Sequence, residues 1–416
     1  MAMHLLDLLF GQLIHRGSLR IIDHSGRRRD FGDGSPPQVA VRFADAATER
    51  RVFLAPHYHL LEAYTDGTLE VEAGSFHEFL DICCINLAET GFSTARRLYH
   101  GLGALFLAWE NYNPARLAQK RVSRHYDLRE DLFRLFLDDD MQYSCAYFPD
   151  AAASLEDAQK AKKRHIAAKL LLADGQRILD IGSGWGGLAL ELARLAEVEV
   201  LGITLSAEQL AVARRRAAEA GLDHRVRFEL MDYRKLTGRF DRVVSIGMFE
   251  HVGPPHYHTY FRCIRDLLTD DGVALVHSVG QMDKGGNNPW IRRRIFPGTY
   301  TPTLSQVLPH LERQGLLTTD VEILRLHYAD TLREWRLRFL ANRQRAAELY
   351  DERFCRMWEA YLSGCELGFR RLSLMVFQVQ FAKDRYAVPL TRDYITDQER
   401  AWAAPRHRLE AEEVEA

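Results

Sequence analysis

The sequence predicts an α/β protein: a mostly parallel, doubly wound sheet with an inserted helical block, preceded by a smaller α+β unit. Three observations carry this. From about residue 176 onward, short apolar strands alternate with stretches of helical period, the pattern of parallel strands joined by crossover helices. The first of those strands, Arg177 to Ile181, runs into a glycine-rich turn and then an apolar-periodic helix. Before about residue 85, alternating strands are punctuated by Asp33-Gly34, Pro36-Pro37 and Thr65-Asp66-Gly67.

Size and composition narrow the function. A chain of 416 residues can hold two to three domains with full cores. A net charge of −2 produces no field that selects nucleic acid. The six cysteines (Cys83, Cys84, Cys145, Cys263, Cys355 and Cys365) show no C-x-x-C spacing. Neither a zinc site nor a disulfide framework is indicated, and a reducing cytoplasm fits. No apolar run approaches the roughly 20 residues of a membrane span. No basic region precedes the first apolar stretch, as a signal peptide would require. Membrane contact is therefore expected to be peripheral.

In chain order, Leu5, Leu6, Leu8, Leu9, Phe10, Leu13 and Ile14 give an N-terminal helix. It is placed in the core rather than at a membrane interface, because Asp7 and His15 do not make a basic polar face. Strands are expected at Gln38 to Phe43, Arg51 to Leu54 and Thr68 to Glu72. They complete a unit spanning 1–85, and 86–122 is read as helix and linker. A short helix from Glu130 to Leu137 leads into the aromatic-rich segment Met141 to Phe148. An amphipathic helix, Leu155 to Leu172, delivers the chain to the glycine turn. Strands follow at 176–182, 198–203, 225–230, 240–246 and 272–278. The helix from Ala207 to Ala220 is stopped by Gly221. A helix at 304–314, a strand near 318–326, a helical block at about 331–367 and a last strand, Leu374 to Phe381, complete a unit spanning 123–395. The remainder, 396–416, is read as a polar tail with an acidic end.

In an open α/β sheet, ligands bind beyond the carboxyl ends of the strands. After the first strand, Gly182, Gly184 and Gly187 satisfy G-x-G-x-x-G. The helix start behind them offers unpaired N–H groups to an anionic group. Two details point away from a nicotinamide dinucleotide. Asp180 sits inside the strand end, and the second strand ends in Thr204 with no acid for a ribose diol. D-I-G-x-G-x-G instead resembles the turn of class I S-adenosylmethionine (SAM) methyltransferases; a Rossmann-like turn for another ligand is the alternative. After the second strand come Thr204, Leu205, Ser206 and Gln209, with Ser206 equally suited to cap the next helix. After the third, Asp232 can accept from an adenine amino group and Tyr233 can cover the ring, or Asp232 serves a surface turn. After the fourth, Glu250-His251 is a candidate base or anion site, or a helix-start acid beside a solvated imidazole. After the fifth, His277 ends an apolar strand, ordinarily a core position, on the cleft that Glu250 should share.

Taken together, five motifs resemble those of the cyclopropane-fatty-acyl-phospholipid synthases, a family that includes the mycolic acid cyclopropane synthases. They are Tyr143-Ser144-Cys145-Ala146-Tyr147, Leu179 to Gly187, Met248 to Gly253, His277-Ser278-Val279-Gly280, and Trp290-Ile291 with Ile295-Phe296-Pro297-Gly298. The resemblance runs from about Val122 to Lys383, in order and with similar spacing. It implies a class I SAM-methyltransferase sheet with a helical lid, and a smaller N-terminal α+β domain with a lipid or dimer role. Ser183 and Val279 depart from the cysteine and isoleucine of some members.

The resemblance implies that a cis double bond of a phospholipid acyl chain takes a methyl group from SAM. A carbocation results, and loss of a methyl proton closes a cyclopropane ring. Such a nucleophile needs positioning rather than activation, and the site must exclude water. For SAM, the resemblance and the turn point to Tyr143, Ser144, Asp180, Gly182, Gly184, Thr204, Leu205, Gln209, Asp232 and Tyr233. Bound bicarbonate is implied as the base, held by Cys145, Glu250, His277, Val279 and Tyr328. Of these, Glu250, His277, Tyr328 and Cys145 are the expected catalytic set. Trp290, Trp335, Phe339, Tyr361 and Phe377 can line an apolar substrate tunnel, or simply fill a core.

The implied enzyme is cytoplasmic, peripheral at the inner face of the cytoplasmic membrane, and a homodimer. Arg292-Arg293-Arg294 and the arginines from Arg333 to Arg371 can meet anionic headgroups, or form a salt-bridged helix face with the interspersed acids. Two other outcomes stay open on the same scaffold: methylation without ring closure, on lipid or on a small amine, and lipid binding without catalysis.

Overall fold

The computed structural model describes residues 5–90, 129–283 and 288–403. The N-terminal unit holds four strands, β1 (Ser18–Ile22), β2 (Arg28–Gly32), β3 (Gln38–Phe43) and β4 (Leu69–Ala73), in the order β2-β1-β3-β4. β3 alternates exposed and buried positions, so Val39, Val41 and Phe43 point inward. The helix Leu5–Leu13 buries Leu6 and Phe10, a core position as the pattern required.

The second sheet holds β5 (Arg177–Ile181), β6 (Glu199–Thr204), β7 (Val226–Leu230), β8 (Phe240–Ile246), β9 (Leu268–Gln281), β10 (Leu317–Ile323) and β11 (Leu374–Ala382). Its order is β10-β11-β9-β8-β5-β6-β7. β7, β6, β5, β8 and β9 pair in parallel, whereas β11 runs antiparallel to both β9 and β10. The order of connection reverses between β5 and β8, which opens a crevice at their carboxyl ends.

Helices cover both faces. The helices Gly187–Leu195 and Ala207–Glu219 share one apolar cluster with β5, β6 and β7. The helices Tyr257–Leu267 and Leu304–Glu312 share another, on the opposite face, with Phe377, Val379 and Phe381. A third cluster is continuous from the N-terminal unit (Phe10, Val41, Phe79) to the inserted helices (Trp335, Trp358, Tyr361). Each large apolar side chain fully buried there contributes about 1.5–3 kcal/mol, so the unit and the insertion hold each other in place.

Several boundaries differ from the sequence expectation. Arg51 to Leu54 is not a strand but the end of the helix Ala46–Leu54, whose Asp45 cap accepts from the Thr48 N–H. An alternating tetrapeptide fits either period, and the cap decides. β1 and β2 were not anticipated; β2 is largely exposed and Arg-rich, so it lacks an apolar signature. The helix Phe76–Thr90 runs through the expected boundary at 85. The helical block begins earlier than expected and splits into His327–Ala341, Arg343–Leu349 and Glu352–Arg371. The expected tail begins as helix instead: Asp393–Ala403 is ordered, with Ile395 buried. The linker expected up to 122 and the acidic end lie largely outside the described residues. Among the described residues, no helix is long and apolar enough to cross a membrane.

Candidate active site

The cleft is built on the end of β5. Gly182 has φ +85°, and a Cβ there would come within 2.9 Å of the Met248 side chain. At Gly184, φ +53°, an added Cβ would meet nothing within 4 Å; it would project into open space on the cleft lining. Gly186 is left-handed and caps the helix Gly187–Leu195. A Cβ on Gly187 would overlap Asp140 and Gln142. The glycines therefore let the segment 138–145 lie directly over the turn.

The ten residues expected to hold a nucleotide cosubstrate all line this one cleft: Tyr143, Ser144, Asp180, Gly182, Gly184, Thr204, Leu205, Gln209, Asp232 and Tyr233. Burial pushes the Asp180 carboxyl up to about 7, against the opposing charge of Lys162. Its Oδ2 is buried and has no hydrogen-bond partner among the described residues, an orphan that a bound amino or hydroxyl group would satisfy. Thr204 Oγ1 donates to Gln209 Oε1 at 3.0 Å. Ser206 caps the helix Ala207–Glu219, accepting from Gln209 N–H at 3.2 Å. Asp232 is paired: both its oxygens meet the Arg234 guanidinium, at 2.9 and 2.5 Å. Tyr233 packs edge-on against Tyr260 with ring centres 5.4 Å apart.

The five residues expected to hold an anion lie behind this cleft, none of them on its lining. Glu250 and His251, adjacent in sequence, serve different places. His251 lines the cleft, and burial lowers its imidazole to about 4, so it is neutral. Glu250 turns toward β9, where Oε1 accepts from the Val279 N–H at 2.6 Å. Its Oε2 is buried with no hydrogen-bond partner among the described residues, and burial raises the carboxyl to about 7. Tyr328, half-buried and held protonated, lies within electrostatic range of Glu250, Cys145 and Tyr143. Cys145 Sγ donates to the carbonyl of Ala146 at 3.3 Å, and burial keeps the thiol protonated. His277 is lowered to about 3 by burial and by the neighbouring cations. Its Nδ1 is 3.2 Å from Gln378 Nε2, the residue paired with it across β11. With that amide donating, the ring proton sits on Nε2 and Nε2 becomes a donor.

Aromatic residues close the space beside Tyr143. Its hydroxyl is 2.8 Å from that of Tyr361. Trp335 lies 5.2 Å from the Tyr143 ring and 5.8 Å from the Tyr328 ring. Of the other expected tunnel residues, Phe339 sits one layer back against Phe136. Trp290 is buried and donates from Nε1 to Glu62 of the N-terminal unit at 2.9 Å. Phe377 does not belong with them. It packs on the opposite face of the sheet with Val379 and Phe381, because residues alternate faces along β11.

Three functional positions escaped the sequence. Lys162 lines the cleft from the helix Leu155–Lys169, buried; an amphipathic helix gave no reason to single out one lysine. His251 was credited only as a neighbour of Glu250. Gln378, whose amide lies 3.2 Å from His277 Nδ1, sits in a strand that reads as continuous core.

The arginines expected to meet headgroups are mostly ion-paired within the protein. Arg294 pairs with Glu62, and Arg293 lies over the Tyr58 ring. Arg336 pairs with Glu366, Arg338 with Glu156, Arg343 with Glu352 and Glu359. Arg353 pairs with Asp66, Arg356 with Glu352, and Arg371 with Asp81. Arg333 meets Asp330 and Glu334, and Arg370 meets Asp330 and Glu366. Arg294, Arg353 and Arg371 are neutralised by acids of the N-terminal unit, which sequence adjacency could not reveal.

A reversed seven-stranded sheet whose glycine turn faces an open cleft is the fold of the class I SAM-dependent methyltransferases. Residues 114–379 match the mycolic acid cyclopropane synthetase family. The chain is 45% identical to the cyclopropane-fatty-acyl-phospholipid synthase of Escherichia coli K12 over 260 residues, 62% of this chain and 66% of that one. It is 35% identical to a probable fatty acid methyltransferase of Pseudomonas putida over 381 residues, 87% of this chain and 93% of that one. The structure of mycolic acid cyclopropane synthase CmaA1 complexed with SAH and CTAB superposes with a TM-score of 0.61, at 33% identity, over 65% of this chain and 99% of that one. The chain belongs to the mycolic acid cyclopropane synthetase family. The matched stretch spans just under two thirds of the Escherichia coli relative.

Proposed function

We propose that this protein transfers a methylene group from SAM to the cis double bond of an unsaturated phospholipid acyl chain, forming a cyclopropane ring. The observation that carries this reading is the pair of sites on either side of Tyr143: an open nucleotide cleft in front and a buried Glu250–Tyr328–Cys145 group behind. The glycine cradle and the orphaned Asp180 oxygen fit SAM. SAM supplies an electrophilic methyl group.

The chain's own residues position, dry and deprotonate. The aromatic group around Trp335, Tyr361 and Tyr328 excludes water from the reacting carbons and presents ring faces to positive charge. Bicarbonate, when bound, supplies a weak base. The orphaned Glu250 Oε2 fits its O–H, and the Tyr328 hydroxyl and His277 Nε2–H would donate to its oxygens. An ionised Glu250 accepts more strongly than a neutral one, so the reaction is expected to gain rate as pH rises through about 7. Cys145, thiol rather than thiolate, contributes as a wall residue and not as a nucleophile.

Peripheral attachment to the inner face of the cytoplasmic membrane, a cytoplasmic location and a homodimer belong to the same proposal. The ion pairs described above leave Arg345 as the one member of the helical arginine set without an ion pair among the described residues. Attachment would then rest on few basic residues. A second reading, methylation without closure, is favoured by one observation: a probable fatty acid methyltransferase of Pseudomonas putida matches 87% of this chain, against 62% for the Escherichia coli synthase.

Mass spectrometry of lipid from vesicles of monounsaturated phospholipid incubated with SAM separates the two. A gain of one CH2 that resists mild hydrogenation supports the ring. A gain that hydrogenation converts to a saturated branched chain supports methylation alone. No lipid product, with SAM bound, overturns both.

A further inference from the structure

We propose that Lys162 is a positioning residue that, with Asp180, recognises the amino-acid zwitterion at the methionine end of SAM. The inference rests on the SAM reading of the cleft and goes beyond it by assigning the end of the ligand that each charge takes.

Lys162 lies on the helix Leu155–Lys169 and is 1% exposed, yet it is on the cleft lining. Its Nζ donates to Gln142 Oε1 at 2.5 Å and to Ser144 Oγ at 2.9 Å. An ammonium has three donors, so one is left for a ligand. One turn earlier on the same face, Gln159 Nε2 donates to the Ser144 carbonyl at 3.0 Å. The helix thus fixes the segment that closes over the glycine turn, and brings a cation to its underside.

The cleft has two further charged landmarks. Asp180 keeps an unpartnered buried oxygen, and Arg234 sits at the far end, committed to Asp232. A ligand carrying both an ammonium and a carboxylate at one end is the complement of a buried carboxylate beside a buried ammonium. Burial of either charge without a partner is costly, so the pair and the zwitterion satisfy one another. Asp138, Asp140 and Cys145 face Lys162 from the covering segment, Asp180 from β5, His277 from β9 and Lys163 from its own helix. Asp140 is already bound by Lys163 and Arg216. Burial lowers the Lys162 ammonium to about 8, so its charge is lost in a readily reached alkaline range.

The test is calorimetric binding of SAM and of decarboxylated SAM, which lacks only the carboxylate, to the full chain and to Lys162→Met and Lys162→Arg. In the wild type, SAM is expected to bind about 10- to 100-fold tighter than the decarboxylated analogue, the worth of a charge-assisted hydrogen bond. Lys162→Met should erase that preference, mainly by weakening SAM. Lys162→Arg should restore most of it, and should keep it above pH 8 where the wild type loses it. Equal weakening of both ligands by Lys162→Met, or a preference that survives it, overturns the inference while leaving the methyltransferase reading intact. If Lys162→Met does not fold, Lys162→Gln is measured in its place, and a preference for SAM that survives it overturns the inference equally. A wild type that binds neither ligand would overturn the SAM reading itself, and this inference with it.

Discussion

Glu250 Oε1 accepts from the backbone N–H of Val279 at 2.6 Å, which ties the loop after β8 to the end of β9 and leaves Oε2 buried and unsatisfied. A carboxyl held this way is expensive to ionise. Its folded pKa, about 7, lies above the usual 4.5. The protonated form is therefore favoured on folding. That contribution is complete below about 4.5 and is lost as pH rises through 7. Glu250→Gln, which keeps the shape and removes the charge, is expected to match the wild type in thermal stability at pH 4.5 and to exceed it at pH 8 by roughly 1–3 kcal/mol. Its activity should fall by about a hundredfold or more. A variant equally stable at both pH values would show that Glu250 is not buried as an acid.

Cys145 sits between the cleft segment and Tyr328, with its thiol raised by burial and donating to the Ala146 carbonyl. Cys145→Ala should therefore retain activity within about tenfold, because no covalent step runs through sulfur. Steady-state rates of the alanine variant decide this. Complete loss in a folded Cys145→Ala protein would instead point to a covalent step through sulfur.

The hydroxyls of Tyr143 and Tyr361 meet at 2.8 Å and join the cleft to the helix Glu352–Arg371. Tyr361→Phe removes one bond worth about 1 kcal/mol. Its expected effect is a rise of about fivefold in KM for SAM, with kcat changed less. A purely kcat effect would place Tyr361 on the lipid side instead.

Gly187→Ala should be among the most damaging of the small substitutions. The new Cβ meets the side-chain ends of Asp140 and Gln142, which are held by Lys163, Arg216 and Lys162 and must give up those contacts to make room. The covering segment would lift, and SAM affinity should drop by about tenfold or more with the rest of the sheet intact. Near-normal calorimetric binding would show that the segment is not needed for the cosubstrate.

How much of this was legible depended on what kind of signal each residue leaves. Glycine positions and strand ends are written in local sequence and point to the turn and to Thr204, Gln209 and Asp232, whereas Tyr143 and Ser144 came only from the family resemblance. Glu250 and His277 were legible from the apolar strands they follow or close in the sequence, although β9 runs on to Gln281 and leaves His277 inside the strand. Lys162 was not, because a lysine on an amphipathic helix looks the same whether it faces solvent or a cleft. Arg294 of the arginine run pairs with Glu62 of another unit, a partner that sequence adjacency does not reveal. Phe377 misled because β11 is buried on both faces, so composition does not say which face a side chain takes. Arg51 to Leu54 is too short for its period to choose between strand and helix.

The most direct test of the central claim, that a base held behind the cleft closes a ring, uses SAM with a fully deuterated methyl group and vesicles of monounsaturated phospholipid. The protein is compared in bicarbonate-replete and degassed buffer. The account predicts a product that retains two of the three deuterons, with formation falling in degassed buffer and recovering on adding bicarbonate. A product that retains all three, or one that retains two whatever the bicarbonate, would contradict it.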